Sequence, residues 1–186
     1  LAASILELFM LSLIDRGLTS KYALQRRGGI SLGSSSPALT RMQRAGLVVQ
    51  DVDASLGKRP RHELKLAAAG KRLARSGWKI HLRESDGADI ESAFRIADMA
   101  VHYGAKAAEI ATFLSTMAAK RLEIARSAAP ASDFRSAGTS AVDMQAQWAL
   151  ARQQAEARFL SKVADSYLSE RSSKSKKRAP TKRLVK

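Results

Sequence analysis

The chain contains no cysteine. That excludes a disulfide scaffold, a thiolate zinc site and a cysteine nucleophile. Histidine is almost as scarce. His62, His81 and His102 are widely spaced, and none has a partner at metal-ligand spacing, so no metal is expected. No long apolar run exists either. Residues 6–14 (LELFMLSLI) are interrupted by Glu7 and Ser12 and end at Asp15, well short of the roughly 20 apolar residues a membrane span needs. That run also lacks a basic flank before it and a small-residue cleavage site after it, so a signal peptide is not expected. Because the chain begins at Leu1 rather than methionine, further residues are expected to precede it in the full protein. Acidic residues are in deficit, 17 against 32 Lys and Arg, for a formal charge of +15. A charge of that sign and size points to a polyanionic partner, nucleic acid first and an acidic membrane surface second.

What is present is alanine, basic charge and helical periodicity. With aromatics at 5%, the chain is expected to be mainly helical with closely spaced helices. The charge is unevenly spread. Residues 1–83 hold 15 Lys and Arg against 5 Asp and Glu. Residues 84–170 hold 9 against 12, and residues 171–186 hold 8 against none. Three parts are therefore expected: a basic domain at 1–83, an acidic helical region at 84–170 and a basic tail at 171–186.

The first part predicts helix, helix, helix, hairpin, helix. Residues 2–15 are apolar nearly all round, as in a central helix, and Gly17 stops them. Thr19 or Ser20 can cap a second helix running to about Arg27, ended by Gly28 and Gly29. A third helix is expected from Ser35 or Ser36, with Pro37 in its first turn, to Gly46. Residues 47–52 (LVVQDV) and 62–66 (HELKL) read as two strands around a basic loop at 53–61. A fourth helix is expected through Arg83. This is the chain order of a winged helix-turn-helix with a two-stranded wing.

In the third helix, Ala38, Leu39, Met42 and Ala45 fall on one side and can be buried. Ser34, Ser36, Thr40, Arg41 and Arg44 fall on the other, with no acidic residue among them. Hydroxyls can hold phosphates, and arginine can read a guanine edge. The bland alternative is a solvated helix face. The basic hairpin that follows shifts the balance toward DNA. Its tip carries Lys58, Arg59 and Arg61 around Pro60, and proline reduces the entropy lost on docking. Residues 34–45 are thus the candidate recognition helix and 53–61 the candidate wing.

These pieces together resemble the PadR-type transcriptional regulators. SLGSSSPALTRMQRAGLV (residues 31–48) is similar to that family's recognition helix and wing entry. TSKYALQRR (19–27) is similar to its second helix, whose tyrosine corresponds to Tyr22. GKRPRHELKL (57–66) is similar to its wing. AAAGKRL (67–73) stands where the family usually has Thr-Glu-Lys-Gly. Ser36 replaces the tyrosine usual before Pro37, Ser34 and Ser35 stand where threonine and leucine are frequent, and Thr40, Gln43 and Arg44 replace acidic residues. The exposed face is accordingly more basic than the family pattern. The resemblance implies double-stranded DNA as partner, with Tyr22 and Pro37 added to the contact residues, a homodimer, and a bacterial cytoplasm close to the nucleoid.

Beyond residue 83, three apolar stripes stand at helical spacing. They are Ile90, Phe94, Ala97 and Val101 in 88–103; Ile110, Leu114, Met117, Leu122 and Ala125 in 105–129; and Trp148, Ala151, Ala155, Phe159, Val163 and Tyr167 in 139–170. Residues 130–138 break the pattern. Such stripes read as an association module. Together with the resemblance they make Ile5, Phe9, Trp148, Phe159, Val163 and Tyr167 the candidate dimerisation residues. Trp148, Phe159, Phe113 and Tyr103 are candidates for a small-effector pocket, with plain core packing the favoured alternative for each. The tail, RSSKSKKRAPTKRLVK, is expected to be disordered when free and able to strap onto DNA, or else to be simply solvated.

Catalytic signatures are not found. GGISLG (28–33) follows no strand, and the serine run 34–36 has glycine on one side only, unlike a nucleophile elbow. No enzyme activity and no cofactor are expected. The leading expectation is a homodimeric repressor. The alternatives are a non-specific architectural DNA- or RNA-binding protein, or a module that binds a protein partner.

Overall fold

The computed structural model describes residues 3–53, 61–84, 89–127 and 141–176, with side chains except at 52–53, 61–62, 141–143 and 170–176. Its elements are α1 (Ile5–Asp15), α2 (Lys21–Arg26), α3 (Leu32–Arg44), β1 (Val48–Asp53), β2 (Arg61–Leu66), α4 (Ala68–Ser76), α5 (Trp78–Arg83), α6 (Ile90–His102), α7 (Ala107–Ser127) and α8 (Ala141–Lys176). The architecture is mainly helical with one two-stranded antiparallel sheet, and the order of its first elements fits a winged helix-turn-helix. Among the described residues, no helix is long and apolar enough to cross a membrane.

The chain divides into two compact units. One comprises Leu1–Glu84 and Phe94–Tyr103, the other Ser85–Ala93 and Gly104–Lys186. Residues 94–103, expected with the acidic region, thus group with the first unit. The reason lies in their side chains. Asp98 pairs with Arg16, and the Tyr103 hydroxyl donates to Asp15 Oδ2 at 3.2 Å. The Tyr103 ring packs on the first unit's core.

Local chemistry sets the ends of the first helices. Ser4 and Glu7 form a reciprocal capping box at the start of α1. At its end Gly17 takes φ +91°. There the Gly17 and Leu18 N–H groups return to Ile14 and Leu13 carbonyls, a pattern that satisfies the last orphan acceptors. Ser20 Oγ caps α2 by accepting from the Ala23 N–H, while the Thr19 carbonyl accepts from Leu64 N–H at 2.7 Å and ties β2 to the α1–α2 loop.

The core of this unit is built from α1 (Met10, Leu11, Leu13, Ile14), Leu24 and Ile30, α3 (Ala38, Leu39, Met42), the hairpin (Val48, Leu64) and Ala74 of α4. In the hairpin Val48 opposes Leu66 and Gln50 opposes Leu64. Leu64 therefore points inward while Glu63 and Lys65 are exposed, as the alternation predicts. The expected single fourth helix is two, α4 and α5, divided at Gly77. Gly70 lets α4 approach the wing, because a Cβ there would run into the Leu47 carbonyl.

In the second unit α7 and α8 pair through Ile110, Phe113, Leu114, Met117 and Ala118 on one helix and Ala157, Leu160 and Ala164 on the other. Most of the expected α8 stripe is turned away from this seam. Trp148 and Phe159 are 70% and 53% exposed, Ala151 and Ala155 are exposed, and Val163 and Tyr167 are half-buried. Alanine explains the difference: α8 carries small residues on several faces, and Ala157 and Ala164, not Ala151 and Ala155, allow the close approach. Val101 and Leu122, likewise expected in apolar stripes, are also exposed. Helix α8 continues to Lys176, into the segment expected as tail. Residues 177–186 lie outside the described residues.

Candidate nucleic-acid interface

Helix α3 starts earlier than its sequence suggests. Ser31 is the cap, with Oγ accepting from Ser34 N–H at 3.2 Å and donating to Ser34 Oγ at 2.9 Å. Pro37 therefore lies inside the helix rather than in its first turn. It has no N–H for the Gly33 carbonyl four residues back. Gly33 is exposed, so water can serve that carbonyl. The helix ends at Gly46, φ +64°, where the Gly46 and Leu47 N–H groups return to Gln43 and Met42 carbonyls. This closure aims the chain directly into β1.

The buried side of α3 consists of Ser35, Ala38, Leu39 and Met42. Ser35, expected at the helix start, is instead buried with its hydroxyl donating to the Leu32 carbonyl. Ala45 is exposed because it is the C-cap and has left the helical path. At 3.6 residues per turn, Gly33, Pro37, Thr40 and Arg44 fall opposite the buried side. Ser34 and Arg41 fall along one flank, Ser36 and Gln43 along the other.

The expected contact residues of α3, namely Ser34, Ser36, Pro37, Thr40, Arg41 and Arg44, are all exposed on this one helix. Thr40 turns its hydroxyl to the Ser36 carbonyl at 3.1 Å, leaving its oxygen free to accept. Tyr22, on α2 of the same unit, is 68% exposed, with the Arg26 guanidinium 6.0 Å from its ring centre. Lys21, Arg26 and Arg27 are exposed beside it, and neither α2 nor α3 contains an acidic residue. Lys58 and Arg59 lie outside the described residues. Arg61 begins β2, opposite Asp53, but its side chain is not among those described.

Two contacts of the site escape sequence reasoning. Gln43 Nε2 donates to Gln50 Oε1 at 3.2 Å, linking α3 to β1. Arg41 Nε donates to Glu7 Oε1 at 2.7 Å, linking α3 to α1. Glu7 stands in an apolar run, and only its Ser4-x-x-Glu7 spacing hints at a role. Burial pushes its carboxyl up. The Ser4 backbone N–H and the Arg41 guanidinium outweigh that and hold it below the usual glutamate range.

Of the candidate dimerisation residues, Ile5 and Phe9 lie half-buried on α1, and the Arg95 guanidinium sits 5.8 Å from the Phe9 ring centre. Trp148, Phe159, Val163 and Tyr167 lie on α8 of the second unit. Of the candidate pocket aromatics, Phe113 is core in the α7–α8 pair, and Tyr103 belongs to the first unit. Among the described residues no group of three or more His, Asp or Glu side chains could hold a metal ion.

No family model matches the chain, and no curated protein matches it. Among solved structures it is similar to Bacillus subtilis PadR in complex with operator DNA, at a TM-score of 0.34 and 12% identity, over 88% of this chain and 99% of that one. A likeness of that strength carries no weight for fold or function.

Proposed function

We propose that the chain is a sequence-specific DNA-binding transcriptional regulator that acts as a homodimeric repressor. The observation that carries this is α3: one acid-free face of exposed hydroxyls and guanidinium groups, followed directly by an antiparallel hairpin. A helix of about 10–12 Å diameter fits the major groove, which is about 12 Å wide. In this reading Arg44 and Thr40, at the crest, face base edges. Ser34, Ser36 and Arg41 on the flanks, and Tyr22 on α2, hold phosphates. Lys58, Arg59 and Arg61 of the wing add backbone or minor-groove contacts.

The dimer is proposed from α8. Trp148 and Phe159 present large aromatic surfaces that the α7–α8 pair leaves exposed, and aromatic side chains are common anchors of association. A dimer would hold two α3 helices about 34 Å apart, for successive major grooves on one face of DNA. Repression then follows from occupancy of a promoter. The basic tail would strengthen binding without regard to sequence.

Binding of the full chain to promoter-derived and random duplexes across a salt series tests this. A regulator prefers a subset of duplexes, with affinity falling steeply as salt rises. Equal affinity for all duplexes would favour a non-specific architectural protein. No binding at low salt would favour a protein-partner module.

A further inference from the structure

We propose that Glu7 is a positioning residue for DNA recognition: it fixes the Arg41 guanidinium on the flank of α3 so that the remaining N–H groups can grip a backbone phosphate. This rests on the DNA-binding reading above and adds a residue that touches no DNA itself.

The pair is unequal in exposure. Glu7 is 8% exposed as a residue, and the Arg41 side chain is 59% exposed. The anchor is therefore inside and the working group outside. The carboxylate is itself held at two points. Oε2 accepts from the Ser4 backbone N–H at 2.9 Å, and Oε1 accepts from Arg41 Nε at 2.7 Å. A guanidinium has five N–H donors. Only the one on Nε is engaged among the described residues, so the fork on the two terminal nitrogens stays available, which is the edge suited to phosphate.

Charge sharpens the argument. A carboxylate beside a DNA-facing helix repels phosphate, and α2 and α3 contain no acid at all. A buried acid facing their arginine weakens binding unless it improves the geometry of the cation. An exposed arginine samples many rotamers and loses that freedom on docking. Arg41 held at Nε loses less. Lysine replaces it poorly, because its three donors share one freely rotating nitrogen instead of a planar fork that can be held at one edge and grip with another.

The competing explanation is a plain strut between α1 and α3, and affinity measurements separate the two. Duplex affinity and melting temperature are measured for the full chain and for Glu7→Gln, Arg41→Lys, Arg41→Ala and the Glu7→Gln/Arg41→Ala double variant. Glutamine can keep the reciprocal cap with Ser4, so Glu7→Gln is expected to fold. Positioning predicts that Glu7→Gln weakens binding roughly three- to tenfold, the size of one impaired charge-assisted contact, although it removes a negative charge. Arg41→Lys should lose a similar factor. In the Arg41→Ala background Glu7→Gln should cost nothing, because nothing is left to position. A strut alone would lower the melting temperature of Glu7→Gln and leave the affinity of the folded protein unchanged, which overturns the proposal. Equal tightening by Glu7→Gln with or without Arg41 would overturn it too, as a simple charge effect. If the unaltered chain binds no duplex, the regulator reading falls and this assignment with it. If it binds and the substitutions are additive, the assignment alone falls.

Discussion

Glu7 holds its charge at a position where burial disfavours it, and its acidity reports the balance. Two donors, the Ser4 N–H and the Arg41 guanidinium, keep the carboxyl below the usual glutamate range. A folded-state pKa below the unfolded value contributes stability that is present above the unfolded value, about 4.3 for glutamate. It is lost as pH falls through the folded value. Glu7→Gln should therefore destabilise the protein near neutral pH and make less difference in acid, once the pH has fallen through the folded value and the carboxyl has taken up its proton. Denaturant midpoints of the two proteins at neutral and acid pH check this; an equal gap at each would contradict it. Arg44 sits at the crest of α3 with no anchoring partner among the described residues, so Arg44→Ala should relax base preference by about 1–3 kcal/mol at one position. Affinities for duplexes varied base by base would reveal that loss. At this scale the sequence was readable for exposure and silent on pairing. The outward face of α3 follows from periodicity, but Arg41–Glu7 joins residues on different helices, and no local pattern announces such a contact.

The elements were legible wherever a chemical stop signal stands beside a periodic run. Gly17 and Gly46 end α1 and α3 where expected because left-handed backbone there closes both helices. The start of α3 was harder. Pro37 suggests a first turn, yet Ser31 supplies a real cap further upstream, and a solvated Gly33 carbonyl tolerates the proline. Ser31→Ala should cost about 1 kcal/mol of stability, whereas Ser36→Ala, outside any cap, should cost far less; urea denaturation distinguishes them. In the second unit, apolar spacing found α8 but not its buried side, since several of its faces are rich in alanine. That side also carries an ion pair invisible to a hydrophobic count. Arg121 Nε lies 2.8 Å from Glu156 Oε2, with side chains 10% and 12% exposed, and Arg152 also reaches Glu156 at 2.8 Å. Glu156→Leu removes the carboxylate facing the buried Arg121 guanidinium, leaving it the neutral Gln153 as a side-chain acceptor on α8, and should destabilise by about 3 kcal/mol. Arg121→Leu leaves Glu156 still paired with Arg152 and should cost less. Thermal denaturation of both variants tests that asymmetry, and equal losses would contradict it.

For the whole molecule, the first 83 residues carry 15 Lys and Arg against 5 Asp and Glu, and the exposed face of α3 holds two of those arginines. Charge does not say what the rest of the chain does. The helices of the second unit pack against each other and still leave Trp148 and Phe159 exposed, which is the basis for the proposed dimer. Replacing both with aspartate should convert a dimer into monomers in light scattering and weaken binding to a two-half-site duplex far more than to a single half-site. The domain border was legible only in part. Among the residues that bind 94–103 to the first unit are Asp98 and Tyr103, whose partners Arg16 and Asp15 lie more than 80 positions earlier in the chain. A protein that reads DNA sequence enriches particular duplexes when the full chain selects from a random library. A homodimeric regulator should enrich an inverted repeat with half-sites about one helical turn apart. A recovered pool as random as the starting one, from a protein that still binds DNA, would contradict sequence-specific reading.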